Sequence, residues 1–155
     1  MSKLAINKTA PAFVLPSTNG GNWKLSEAKG KHLVLYFYPR DNTQGCTTEA
    51  TAFRDHYPQF KKMATEIIGI SADSMNAHLK FKAKLALPFE LLSDTEHTVC
   101  NVFEVFKAKK LYGREYMGIE RSTFLIDSSG KLRHEWRKVK VPGHVEAVLT
   151  EVGKL

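Results

Sequence analysis

The sequence has few cysteines and no long apolar run, and each shortage excludes a class of protein. Two cysteines in 155 residues are too few for the disulfide framework of a small secreted domain, and they favour a reducing compartment. No apolar stretch approaches the roughly 20 residues of a membrane-spanning helix. Residues 1–8 also lack the apolar core of a signal peptide. We therefore expect a cytoplasmic protein with no membrane partner.

Internal repeats, low-complexity stretches and long linkers are also missing from the sequence. The hydrophobic fraction of 43% and the charged fraction of 25% are ordinary for a globular protein. A chain of 155 residues is long enough for a core of its own. We expect residues 1–155 to form a single domain.

Acidic residues are fewer than basic ones, 16 against 23, which gives a formal net charge of +7. The basic residues gather in two clusters: Lys107, Lys109, Lys110 and Arg114, and then Lys131, Arg133, Arg137, Lys138 and Lys140. No nucleic-acid-binding motif accompanies them, so solvated surface and no nucleic-acid partner are expected. Attraction of acidic protein surfaces stays open. Nucleic-acid binding is kept as a third hypothesis, which salt-dependent retention of DNA would test.

The six histidines are scattered, and none has a metal-ligand spacing with a cysteine. Gly113 and Gly118, read as part of a loop, form no phosphate-binding fingerprint. We therefore expect no metal and no organic cofactor.

Hydrophobic periodicity predicts alternating strands and helices. The predicted strands span residues 33–38, 66–71, 89–92, 122–127 and 131–136, and the predicted helices span residues 44–62, 74–86, 95–106 and 143–152. Pro58 is expected to kink the first helix or to end its first segment. The turn formers in residues 10–32 indicate a hairpin. This order predicts an α/β fold, with a central mixed β-sheet flanked by helices and an N-terminal hairpin extension.

One cysteine lies in the first turn of a predicted helix, directly after a buried strand. The segment is Pro39-Arg40-Asp41-Asn42-Thr43-Gln44-Gly45-Cys46, with Glu49 following. If Thr43 is the N-cap, Cys46 is the third helical residue. The positive end of the helix dipole and its unpaired N–H groups then favour the reactive thiolate. The simpler interpretation is a structural, half-buried cysteine.

The stretch from Phe37 to Ala50 closely resembles the active-site motif of peroxiredoxins, in particular the bacterioferritin-comigratory or Q-type subfamily. The resemblance extends over nearly the whole chain. Further matching segments are Ala10-Pro11-Ala12-Phe13, residues 69–74, Leu92-Ser93-Asp94 and residues 118–127. The resemblance implies a thioredoxin-like fold and the reduction of hydroperoxides through a cysteine.

The resemblance also implies a role for each matching residue. Cys46 would be the peroxidatic nucleophile, which becomes a sulfenic acid. Thr43 would orient the peroxide, and Pro39 would shield the pocket. Arg121 would stabilise the thiolate and the charge that develops on the peroxide oxygens, and Glu49 would hold an arginine in place.

The sequence departs from the subfamily at the second, resolving cysteine. Many members carry it five residues after the first, where this chain has Thr51, and others carry it in the following helix, where this chain has none. Cys100, on the predicted 95–106 helix, is the only other thiol. It is either a partly buried structural cysteine or a resolving cysteine, which would need local unwinding or a second subunit. We expect a one-cysteine cycle and keep the two-cysteine cycle as the alternative.

The expected function is a peroxidase for hydrogen peroxide and organic hydroperoxides, recycled by thioredoxin, glutaredoxin or a small thiol. The alternative is a peroxide sensor or redox relay, in which the sulfenic acid passes its oxidation to a partner protein. The expected oligomeric state is a monomer or a weak homodimer.

Overall fold

The computed structural model describes residues 4–155. Residues 1–3, which begin the segment expected not to be a signal peptide, lie outside the described part. The strands are β1 Val14–Pro16, β2 Asn22–Lys24, β3 His32–Phe37, β4 Thr65–Ser71, β5 Glu90–Ser93, β6 Phe106–Leu111, β7 Arg114–Ile119, β8 Ser122–Ile126 and β9 Leu132–Trp136. The helices are α1 Gln44–Lys62, α2 Met75–Leu85, α3 Thr98–Val102 and α4 His144–Val152. Within residues 4–155, no helix is both long and apolar enough to cross a membrane.

Five strands form the central sheet in the order β5-β4-β3-β8-β9. β3 pairs in parallel with β4, and β4 with β5, whereas β8 runs antiparallel to both β3 and β9. The predicted mixed sheet is therefore confirmed. β3 is the central strand of this sheet. Its carboxyl end therefore lies in the middle of the row of strand ends, the usual position of a site in such folds.

Side chains of β3 alternate between two cores, one on each face of the sheet. Leu33, Leu35 and Phe37 face the first, which we call the hairpin-side core because the β1–β2 hairpin and α3 cover it. Val34 and Tyr36 face the second, the helix-side core, which α1, α2 and α4 cover. The N-terminal hairpin and the helices on both faces of the sheet are thus confirmed.

α1 begins and ends at the predicted residues, with Thr43 as its N-cap. Phe53 and Phe60 point into the helix-side core and are fully buried. The helix does not end at Pro58 but continues to Lys62. Pro58 is exposed, so its ring does not disturb the buried face of the helix.

The predicted helix over residues 95–106 is wrong in most of its length. α3 covers only Thr98–Val102, and Phe106 begins a strand. His97 and Glu104 adopt left-handed backbone conformations with φ of 61° and 58°, which terminate a right-handed helix on either side. The spacing of apolar residues imitates a helical stripe, but Val102 is 40% exposed.

Residues 106–119 form a β-hairpin that the sequence reading missed. β6 and β7 pair antiparallel as a separate two-stranded sheet. Tyr112 and Gly113 connect them with positive φ values of 52° and 79°, the signature of a type I′ turn. Gly118, expected in a loop, lies in β7.

Candidate active site

The loop between β3 and α1 carries the residues expected at the site. Asn42 turns the chain with a φ of 65°, a conformation that asparagine tolerates better than most residues. The Thr43 hydroxyl donates to the Arg40 carbonyl at 3.0 Å and makes no capping bond to the helix. Cys46 is the third residue of α1, as predicted, and only 1% of it is exposed. Its sulfur is therefore shielded from water at the positive end of the helix.

Arg121 contacts both Cys46 and Glu49, which lie one turn apart on α1, although Arg121 is more than 70 residues away in the chain. Its Nη2 atom donates to Cys46 Sγ at 3.3 Å, and its Nη1 atom donates to Glu49 Oε1 at 2.7 Å. Burial opposes the charge of Arg121, but the charges of Glu49 and Cys46 outweigh it and raise the pKa of the guanidinium. A permanent cation is thus fixed beside the sulfur by a planar fork of donors.

Glu49 is a completely buried carboxyl group. Its Oε1 atom accepts from Arg121, while its Oε2 atom has no hydrogen-bond partner among the described residues. Burial raises the pKa of Glu49 from 4.5 to about 7, and Arg121 opposes this rise. Burial exceeds the effect of the salt bridge because a desolvated carboxylate is costly when only one oxygen is bonded.

This raised pKa predicts a pH-dependent stability. The unfolded chain releases the Glu49 proton above pH 4.5, whereas the folded chain keeps it until about pH 7. The contribution of Glu49 to the free energy of unfolding is therefore at its maximum below pH 4.5 and is lost as the pH rises to 7. Relative to Glu49→Gln, the free energy of unfolding of the wild type should fall by up to about 3 kcal/mol across that window. Urea unfolding of both proteins as a function of pH measures it, and a difference that stays flat would contradict the prediction.

Gly45 provides the space in which the guanidinium lies. A Cβ atom at this position would be 3.0 Å from Arg121 Nη2. Gly45→Ala is therefore expected to displace Nη2 from the Cys46 sulfur and to slow peroxide oxidation by about tenfold, the worth of a weakened charged hydrogen bond. Quenched-flow mass spectrometry of Cys46 oxidation measures the rate.

Gly21→Ala is the matched control for this substitution, since the nearest atom to its Cβ would be 3.9 Å away. Gly45→Ala itself should have an unfolding free energy equal to or higher than that of the wild type, because alanine is a better helix former than glycine. A wild-type oxidation rate in Gly45→Ala would show that the guanidinium tolerates displacement.

A groove lies between the loop and the β6–β7 hairpin, with a volume of about 610 Å³. Pro39 and Thr43 line one side, and Lys109, Leu111 and Tyr116 line the other. Leu111 is 55% exposed and Tyr116 is 47% exposed. The groove therefore offers apolar surface next to cationic side chains, beside the two residues, Pro39 and Thr43, that are expected to contact the substrate.

Cys100 lies away from this constellation. It is fully buried in the hairpin-side core, whereas Cys46 belongs to the helix-side core, so the central sheet separates the two thiols. Its backbone N–H donates to Asp94 Oδ2 at 2.7 Å. Burial and the Asp94 carboxylate raise the pKa of the Cys100 thiol. Both cysteines are free, and Cys100 is more deeply buried than its expected position at the edge of a helix implied.

The structure adds two side chains to the site that the sequence reading did not single out. The Tyr36 hydroxyl is buried, and its pKa is raised by burial and by the charges of Glu49 and Cys46. Lys109, from the missed hairpin, has a lowered pKa because of burial and the charge of Arg121. In the sequence, Tyr36 is recognisable only as part of a buried strand, and Lys109 only as part of a basic surface cluster. Neither pattern identifies a site residue.

Comparison with known proteins agrees with this geometry. A model of the AhpC/TSA family matches residues 6–135. Peroxiredoxin Bcp of Bacillus subtilis is 54% identical over 146 residues, which cover 94% of this chain and 93% of that protein.

Two solved structures are similar over most of the chain. PrxQ of Xylella fastidiosa superposes with a TM-score of 0.92 at 39% identity, covering 99% of this chain and 98% of that one. The bacterioferritin comigratory protein of Xanthomonas campestris, described for its alkyl peroxide reduction activity, has a TM-score of 0.87 at 42% identity. That match covers 92% of this chain and 90% of the other. The thioredoxin-like peroxiredoxin fold expected from the sequence is confirmed.

Proposed function

The chain belongs to the AhpC/TSA family and is a peroxiredoxin, a thiol-dependent peroxidase, and from this premise we propose that Cys46 is the nucleophile of a one-cysteine cycle. The observation that carries the proposal is the position of Arg121 Nη2, 3.3 Å from Cys46 Sγ at the start of α1. A helix N-terminus and a cation together stabilise a thiolate.

The first step transfers one oxygen atom. The Cys46 thiolate attacks the terminal oxygen of the hydroperoxide, an S–O bond forms and the O–O bond breaks. The sulfur loses two electrons, and the leaving oxygen takes up a proton to become water or an alcohol. Negative charge spreads over the sulfur and both oxygens, where the guanidinium of Arg121 stabilises it. Glu49 keeps that guanidinium in place, Thr43 orients the peroxide, and Pro39 shields the pocket.

The second part of the cycle regenerates the thiol with external reductant. One thiol attacks the Cys46 sulfenic acid, releases water and forms a mixed disulfide, and a second thiol displaces Cys46 as thiolate. The separation of Cys46 and Cys100 by the central sheet supports this external route, because a disulfide needs Cα atoms within about 7 Å. Thioredoxin, glutaredoxin or a small thiol would supply the electrons.

The substrates we propose are hydrogen peroxide and organic hydroperoxides. The apolar side chains of Leu111, Tyr116 and Met117 line the groove beside Thr43. This lining supports organic substrates, because an alkyl group can pack against it. Reaction in the cytoplasm, as a monomer or a weak homodimer, is part of the same proposal.

Steady-state turnover tests the proposed function. Peroxide consumption is followed with thioredoxin and its reductase, with glutaredoxin and glutathione, and with dithiothreitol. Sustained turnover with at least one of these reductants supports the enzyme. Fast oxidation of Cys46 with almost no turnover in all three would instead favour the sensor.

A further inference from the structure

Asp41, in the loop that precedes Cys46, makes hydrogen-bond contacts through both carboxyl oxygens and its backbone N–H. Its Oδ1 atom accepts from the Tyr38 hydroxyl at 2.7 Å, and its Oδ2 atom lies 2.7 Å from His78 Nδ1. Its backbone N–H donates to Asp73 Oδ2 at 2.8 Å. Asp41 is only 6% exposed and His78 is completely buried. None of these groups has a part in the chemistry proposed above.

The two ring nitrogens of His78 define where its protons lie. Nε2 is 2.8 Å from the Leu92 carbonyl oxygen, which can only accept, so Nε2 carries a proton. Nδ1 faces the Asp41 carboxyl at 2.7 Å, and two lone pairs at that distance would repel each other. A further proton therefore lies between Nδ1 and Oδ2, and the pair is held as a charge-neutral unit.

A metal ion does not explain this cluster as well as hydrogen bonding does. Asp41, Asp73 and His78 each offer a ligand atom within 4.8 Å of the others. However, two ligands of one tetrahedral zinc, each at about 2.0–2.1 Å from the ion, are more than 3 Å apart, whereas Nδ1 and Oδ2 are 2.7 Å apart. Asp73 Oδ2 already accepts from the Asp41 N–H and the Ser71 hydroxyl.

These contacts fix the loop to three separate elements. His78 connects it to α2 and, through Leu92, to β5, while Asp73 connects it to the segment that follows β4. The next residue, Asn42, accepts from Lys84 Nζ of α2 at 3.3 Å. The loop then continues directly into Thr43, the N-cap of α1.

We propose that Asp41 and His78 are a positioning pair for the peroxidase reaction, which holds the loop so that Thr43 and Pro39 present a hydroperoxide to Cys46. The inference rests on the proposed role of Cys46. Neither residue touches the reacting atoms. The pair acts through the placement of the loop, and a displacement of about 1 Å in such a contact can cost a hundredfold in rate.

The test compares two reactions of Cys46 in the wild type and in His78→Leu. Oxidation by hydrogen peroxide needs an oriented substrate, whereas alkylation by iodoacetamide reports only the reactivity of the thiolate. We expect His78→Leu to slow oxidation by about 10- to 100-fold and to leave the alkylation rate unchanged. A purely structural role would leave both rates unchanged at temperatures where the variant is folded.

Asp41→Asn is the conservative variant that should preserve the function. Its side-chain oxygen can accept from the Tyr38 hydroxyl and its NH₂ group can donate to His78 Nδ1, so every hydrogen bond survives without the shared proton. Oxidation should stay within about threefold of the wild-type rate. Val148→Ala, a buried change on α4, is the control for lost stability and should keep both rates.

The results separate the inference from the function beneath it. Wild-type oxidation in His78→Leu, or a loss in Asp41→Asn as large as in His78→Leu, would overturn the positioning pair. A wild type whose Cys46 does not react with peroxide would overturn the proposed function itself. If His78→Leu does not fold, NMR of the wild type decides. The inference expects a far-downfield proton on His78 Nδ1 that disappears in Asp41→Asn, and its absence in the wild type would overturn the pair.

Discussion

Replacing Arg121 with Gln is expected to slow the oxidation of Cys46 by hydrogen peroxide by about 10²- to 10³-fold, the usual effect of removing one fixed donor from a developing anion. The substitution removes both the cation and the Nη2 hydrogen bond to the sulfur. Rapid quenching followed by mass spectrometry gives the rate.

Two further variants show that the effect belongs to the site and not to folding. Arg121→Gln leaves the Glu49 carboxyl buried without its partner and removes the charge that lowers its pKa, so the variant is destabilised where Glu49 would otherwise be ionised. The double variant Arg121→Gln with Glu49→Gln should recover most of that stability but none of the oxidation rate. Arg121→Lys keeps the charge but cannot contact both partners as a fork. A wild-type rate in Arg121→Gln would remove the arginine from the proposed chemistry.

Cys46→Ser should abolish peroxidase turnover, a loss of about 10⁴-fold or more, because the serine hydroxyl is a weak nucleophile without a base. Cys100→Ala should keep turnover close to that of the wild type with every reductant. Alanine suits the fully buried position of Cys100 in the hairpin-side core better than serine, whose hydroxyl would need a partner there. Turnover lost in Cys100→Ala while its fold is intact would indicate the two-cysteine cycle.

Local sequence signals made the central part of the site predictable. The apolar strand before Pro39 and the apolar spacing after Gly45 placed Cys46 in the first helical turn, where it is found. Arg121 follows Cys46 by 75 residues along the chain, and no spacing rule connects them. Its role was expected only from the resemblance to peroxiredoxins, and the structure places it beside the sulfur.

The wrong helix and the contacts that the sequence does not predict also have physical causes. Val99, Val102, Phe103 and Phe106 have the spacing of a helix, but left-handed residues at 97 and 104 limit α3 to five residues. Composition does not reveal those backbone angles. The β6–β7 hairpin is rich in lysine and mostly exposed, so it lacks the apolar alternation of a core strand. The Asp41–His78 contact joins residues 37 positions apart, and it exists only because the sheet brings α2 to the loop.

The most direct measurement is the intact mass of the protein after one equivalent of hydrogen peroxide, for the wild type, Cys46→Ser and Cys100→Ala. The one-cysteine cycle predicts a gain of one oxygen atom in the wild type and in Cys100→Ala, reversed by added thiol and missing from Cys46→Ser. A loss of two hydrogen atoms in the wild type, missing from both variants, would contradict it and show a Cys46–Cys100 disulfide. No rapid change in mass that depends on Cys46 would contradict its role as the nucleophile.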